Sequence, residues 1–296
     1  MQTLSGLSGR LSQGESDFTL SQGGGSSDAR GGWFSICRSP YSNSILSDEE
    51  KSTLRFSFLL KVTLIVALVT VFNGNSVVSA QDKVASAITW SSRTIEGWKV
   101  NVNEQLEKDD SKLLATALDL LSKQLQEIVR VVPPGAVKQL REVTLWISPE
   151  YPGVGPQAEY HPGAGWLRDN GRDPAMVKGV EFTNVRIFEA ETRRMPNLAL
   201  HELAHAYHDQ VLGNDHKELI ETFERAKAGG KYNHVERQDS EGRKSQDRAY
   251  ALTSPQEYFA ETSEAYFSKN DFQPYDRAEL EVFDPAMYKL LESLWR

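Results

Sequence analysis

The chain has 296 residues, 39% of them hydrophobic and 25% charged, with a net charge of −8 at neutral pH. That balance is ordinary for a soluble globular protein and long enough for one sizeable domain. The acidic excess, with no cluster of Lys and Arg, argues against nucleic acid as a partner, and the single cysteine, Cys37, excludes an intramolecular disulfide.

Residues 1–50 are rich in Ser and Gly, as in "SQGGGSSDARGG", and carry too little apolar surface to offset the entropy of ordering. They are expected to be a disordered leader. Residues 51–80 have the order of parts of a secretory signal peptide. Arg55 and Lys61 come first, then the run Val62–Phe72, apolar apart from two threonines, then Val78-Ser79-Ala80 ahead of Gln81. A spanning helix needs about 20 apolar residues, and this run is bounded by Lys61 and by Asn73-Gly74-Asn75. The expectation is export, secreted or periplasmic, of a domain over residues 81–296 with no stable membrane association once the signal is cleaved. Anchoring through residues 56–72 is the alternative.

Along the expected domain, Thr94 to Val102 alternates polar and apolar residues and reads as a strand. Residues 111–132 have apolar positions at helical spacing, with Asp110 or Ser111 as N-cap and Pro133-Pro134-Gly135 as the stop. A short helix is expected at Ala136–Leu140, a strand in "EVTLWIS", and a long loop over 149–174, which holds five prolines. Loops of that length inside a domain are often functional. Another strand is expected over about 179–188. Pro196 and Gly213 then bracket a helix, and 215–230 reads as a second one closed by Gly229-Gly230. Short strands are expected at "KYNHVE" and "RAYAL". "SPQEYFAETSEAYF" opens with a capping box of Ser254, Pro255 and Glu257, and one or two amphipathic helices close the chain over 276–294. Strands first and helices after predict an α+β fold: a small N-terminal sheet, and a helical C-terminal half that carries the site below.

The helix bracketed by Pro196 and Gly213 contains His201-Glu202-Leu203-Ala204-His205. Residues four apart share one helical face, so both imidazoles can reach one metal ion. Glu202 is rotated by about 100° from His201. It is badly placed as a ligand and well placed as the general base for a zinc-activated water. A catalytic zinc usually takes three protein ligands. The metzincin pattern puts its third His where Val211 stands and its Gly where His208 stands, so that class is excluded. A glutamate from "EYFAETSEAYF" remains, where Glu257, Glu261 and Glu264 lie at i, i+4 and i+7. His208 shares the face of His201 and His205, as a rim residue or a fourth ligand. His161, His216 and His234 have no partner spacing and read as surface or loop residues, although Tyr160-His161-Pro162 offers itself as cleft lining.

His201-Glu202-x-x-His205, the helix "EYFAETSEAYF", Tyr250 seven residues before Glu257, and the long helical insert between the two motifs together resemble the catalytic domain of anthrax toxin lethal factor and its relatives. That is a zinc metallopeptidase family of gluzincin type, and the similarity spans about 196–270. The resemblance implies a zincin-like domain with one Zn2+ per chain, held by His201, His205 and Glu257. It implies Glu202 as base and Tyr250 as stabiliser of the oxyanion. Glu261 would be the supporting carboxylate that accepts the free ring N–H of His201. The expected partner is a peptide or protein substrate; the toxin's docking domains are missing here, so its targets are not implied. The competing reading is a secreted binding protein of the same fold with structural zinc or none. An edge strand over 180–188 would pair with extended substrate.

Overall fold

The computed structural model describes residues 88–296. The leader and signal peptide expected over 1–80 lie outside the described residues. No helix among the described residues is long and apolar enough to cross a membrane.

Strand β1 (Trp90–Ile95) runs into β2 (Trp98–Asn103) through a tight hairpin, where a single strand was expected. Glu96 and Gly97 turn the chain, with φ of 50° and 93°. Ile95 and Trp98 pair across the turn and share one face, so the apolar alternation shifts from odd positions in β1 to even positions in β2. A Cβ on Gly97 would sit 2.6 Å from Nε of Arg141, whose guanidinium donates to the Glu96 carbonyl. Helix α1 (Glu104–Asp109) was not expected; Asn103 caps it by accepting from the amides of Gln105 and Leu106. Helices α2 (Ser111–Val131) and α3 (Pro134–Leu140) and strand β3 (Leu145–Ile147) follow close to expectation.

The stretch 149–174 is more than a loop. It holds β4 (Ala158–Tyr160) and α4 (Ala164–Asp169). Strand β5 (Val180–Phe182) is much shorter than the strand expected over 179–188, because a 3-10 turn at Val185–Ile187 leads straight into α5 (Phe188–Arg194). Helix α6 (Leu198–Tyr207) ends in a π turn, His208–Leu212, and α7 (Lys217–Gly229) ends at Gly230 in the left-handed region. Strands β6 (Val235–Gln238) and β7 (Lys244–Asp247) form a separate hairpin; the second strand expected at 248–252 is a 3-10 turn, Tyr250–Leu252. Three helices close the fold: α8 (Pro255–Phe267), α9 (Arg277–Phe283) and α10 (Pro285–Leu294).

The main sheet has the order β1-β2-β3-β5-β4. Its three central strands are parallel and both outer strands antiparallel, so the fold is α+β, as expected. Val100, Leu145, Val180 and Phe182 join one continuous core with Leu121 and Ile128 of α2, Leu203 of α6 and Phe259 of α8. Trp146, Leu167 and Met176 form a smaller core with the half-buried Trp90 and Trp166. The edge strand beside α6 is therefore β4, not β5, which pairs with β3 on one side and β4 on the other.

Candidate metal centre

Local chemistry fixes the helix that carries the histidines. The Asn197 side chain accepts from the Leu200 amide and donates to the Gln124 carbonyl, while the Gln124 side chain accepts from the Ala199 amide. The first turn of α6 is thus satisfied and tied to α2. Ser254 accepts from the Glu257 amide at the start of α8, with Pro255 at the first helical position. Both helices are almost wholly buried, and they pack on each other.

That packing brings three donor atoms together. Nε2 of His205 lies 3.2 Å from Nε2 of His201, and Oε2 of Glu257 lies 3.3 Å from each. Four-coordinate zinc with bonds of about 2.0–2.1 Å has its ligand atoms roughly 3.3–3.4 Å apart. The three atoms therefore fit one face of such a tetrahedron. Oε2 of Glu257 is buried and accepts no hydrogen bond among the described residues. Burial pushes the Glu257 carboxyl up, but the two imidazoles outweigh it and hold it well below the usual carboxylate range, at about 2. An ionised, otherwise unpartnered oxygen facing two imidazole nitrogens is a donor set suited to zinc.

Glu202 stands beside this triangle and is fully buried. Its Oε2 accepts the backbone N–H of Tyr160, on the edge strand β4, at 3.0 Å, and its Oε1 has no partner among the described residues. Burial pushes its carboxyl up, against the pull of His201 and His205. The edge-strand amide is a feature the sequence did not announce, since β4 lies in the expected loop.

The support of His201 differs from expectation. Its Nδ1 is 3.0 Å from Oε2 of Glu264 and 3.7 Å from Oε1 of Glu261. Only the first is a hydrogen-bond distance. Helical phase explains it: at about 100° per residue, i+7 falls about 20° from Glu257 and i+4 about 40° to the other side. Asn270 also donates to Oε2 of Glu261 and holds it away.

Tyr250 is half-buried in the 3-10 turn that leads into α8, packed against the main core. His208 does not join the donor atoms. It opens the π turn and lies fully buried, its ring 5.5 Å from that of Phe259, and both ring nitrogens lack hydrogen-bond partners among the described residues. Burial, with His205 and His216 nearby, pushes its imidazole down to about 4, so it is neutral. His161, expected at a surface or in a loop, is buried and bonded to Glu181 at 2.9 Å. His216 caps α7, and His234 is exposed.

A family model described as "Anthrax toxin lethal factor, N- and C-terminal domain" matches residues 174–294. The match covers less than half of the chain and relates it to lethal factor-like proteins. It spans α6, Tyr250 and α8, and it leaves out β4. No curated protein and no solved structure matches the chain.

Proposed function

We propose that the chain is an exported zinc metallopeptidase of zincin type, with one Zn2+ held by His201, His205 and Glu257. The observation that carries this reading is the triangle of two Nε2 atoms and one Oε2 atom at 3.2–3.3 Å. The relation to lethal factor-like proteins supports it. Bound zinc would supply a Lewis acid for the peptide carbonyl and lower the pKa of a water to about 7.

The chain's own groups then do the rest. Glu202 is oriented through Oε2 by the Tyr160 amide, so its unpartnered Oε1 takes the proton of the attacking water and passes it to the leaving amine. Tyr250 donates its hydroxyl hydrogen to the carbonyl oxygen as that oxygen gains charge. Gln157 and His161 turn their backbone groups toward β5, so Ala158 and Tyr160 turn theirs to the other side of β4, where the Tyr160 N–H meets Glu202.

One observation favours a second reading. His205 is only 6% exposed and Glu257 3%, a closed setting that suits a catalytically inactive binding protein with structural zinc or none. Zinc content, followed by peptide-library cleavage with wild type and Glu202→Gln, separates the two. The peptidase reading expects one zinc in both proteins, cleavage by wild type, and a loss of roughly 10²–10⁴-fold in the variant. Equal cleavage by both would contradict it, and zinc without cleavage by either would favour the binding protein.

A further inference from the structure

Helix α8 supplies more than the carboxylate that faces the two Nε2 atoms. His201 lies along it, with Nε2 3.3 Å from Oε2 of Glu257 and Nδ1 3.0 Å from Oε2 of Glu264. The imidazole is held at both ends by one helix, from positions two turns apart. It is fully buried, as is Glu264, so water does not compete for the ring. Among the described residues Glu264 makes no other side-chain hydrogen bond, and its second oxygen, Oε1, has no partner. Glu261 is committed elsewhere. Its Oε2 accepts from Asn270, at the loop that follows α8, and its Oε1 stays 3.7 Å from the ring.

A neutral imidazole carries one N–H, and the partner of that N–H decides which nitrogen keeps the lone pair. A carboxylate on Nδ1 puts the proton there. The lone pair of Nε2 then points at Glu257 and His205, where a cation would sit. The same contact stops the ring from rotating, so the nitrogen is presented in one direction before any ion arrives.

We propose that Glu264, and not Glu261, is the positioning residue that fixes the tautomer and orientation of His201 for metal binding. This rests on the metal reading given above, but the hydrogen bond itself can be read with no metal present. Glu261 serves a different purpose, fixing the loop at Asn270 against the helix.

The test uses Glu264→Gln and Glu261→Gln in the full chain, with two readouts. The first is the Nδ1–H resonance of His201 in metal-free protein labelled with 15N-histidine. It is expected in wild type, unchanged in E261Q, and shifted or lost in E264Q. The second is zinc affinity, measured by competition with a chelator. E264Q is expected to bind about 10–100-fold more weakly than wild type, the usual range when a ligand's outer partner is lost, and E261Q to lose less. The inference is overturned if the resonance is lost in E261Q, or if E261Q weakens zinc more than E264Q does. Should E264Q not fold, the E261Q spectrum still decides, because loss of the resonance there assigns the bond to Glu261. A wild type that binds no zinc but keeps the resonance through E261Q would sink the metal reading and leave the assignment of the hydrogen bond standing.

Discussion

Glu159 and Glu181 face each other directly across β4 and β5, both buried. Arg172 lies 2.5 Å from Glu181 and 3.7 Å from Glu159, and His161 and Tyr151 also bond to Glu181. The pair is pulled apart as a result. Burial pushes Glu181 up, but His161, Ser148 and Arg172 outweigh it and leave it lowered. Glu159 is pushed up to about 8, chiefly by burial, with Arg172 pulling back. Its folded value lies above its ordinary 4.5, so the stability it contributes is full below about pH 4.5 and is lost as pH rises through 8. Glu159→Gln cannot ionise. Its unfolding free energy relative to wild type should therefore rise steadily between about pH 5 and 9, as read by urea titrations at several pH values. A difference that stays constant over that range would show that Glu159 is already ionised in the fold. At Tyr250, loss of the hydroxyl in Tyr250→Phe should lower kcat by about 10²–10³-fold, the range for one oxyanion donor, with zinc content unchanged. Loss of zinc in that variant would make Tyr250 part of the metal's support instead.

Among the elements, α8 was the most legible in the sequence and β4 the least. Ser254, Pro255 and Glu257 announced the helix because capping is a local matter of hydrogen bonds at known offsets, and the structure starts α8 at Pro255 with the Ser254 oxygen on the Glu257 amide. The helix bearing His201 and His205 was equally plain, since Pro196 and Gly213 bracket it, although Pro196 stands just before the cap, Asn197, and not in the first turn. Strand β4 is three residues long and sits among prolines and glycines, so no periodicity marks it; its strand state comes from pairing with β5. The same holds for the choice between Glu261 and Glu264, which turns on tens of degrees of helical phase and on Asn270, nine residues further on. Ser254→Ala should lower stability by about 0.5–2 kcal/mol. Because the cap fixes the turn that bears Glu257, zinc affinity should fall too. Chelator competition beside denaturant titration checks both, and an unchanged zinc affinity would mean that packing alone places Glu257.

At the scale of the whole molecule, a five-stranded sheet and the two helices α6 and α8 share one core, and the candidate metal centre sits where those helices meet. The described residues contain no cysteine, so no disulfide supports them. They do contain a buried cluster of acids and imidazoles whose close approach, 3.2–3.3 Å between like donor atoms, makes sense around a cation. A second group, His201 with Glu261 and Glu264, lies against the first through the same ring. Its short contact is a hydrogen bond, which fits a single metal with carboxylates behind it. The most direct test of the account is zinc stoichiometry, measured on purified wild type and on Glu257→Ala after dialysis against a weak chelator. One zinc per chain in the wild type and none in the variant is the predicted result; a stoichiometric zinc retained by Glu257→Ala would contradict it.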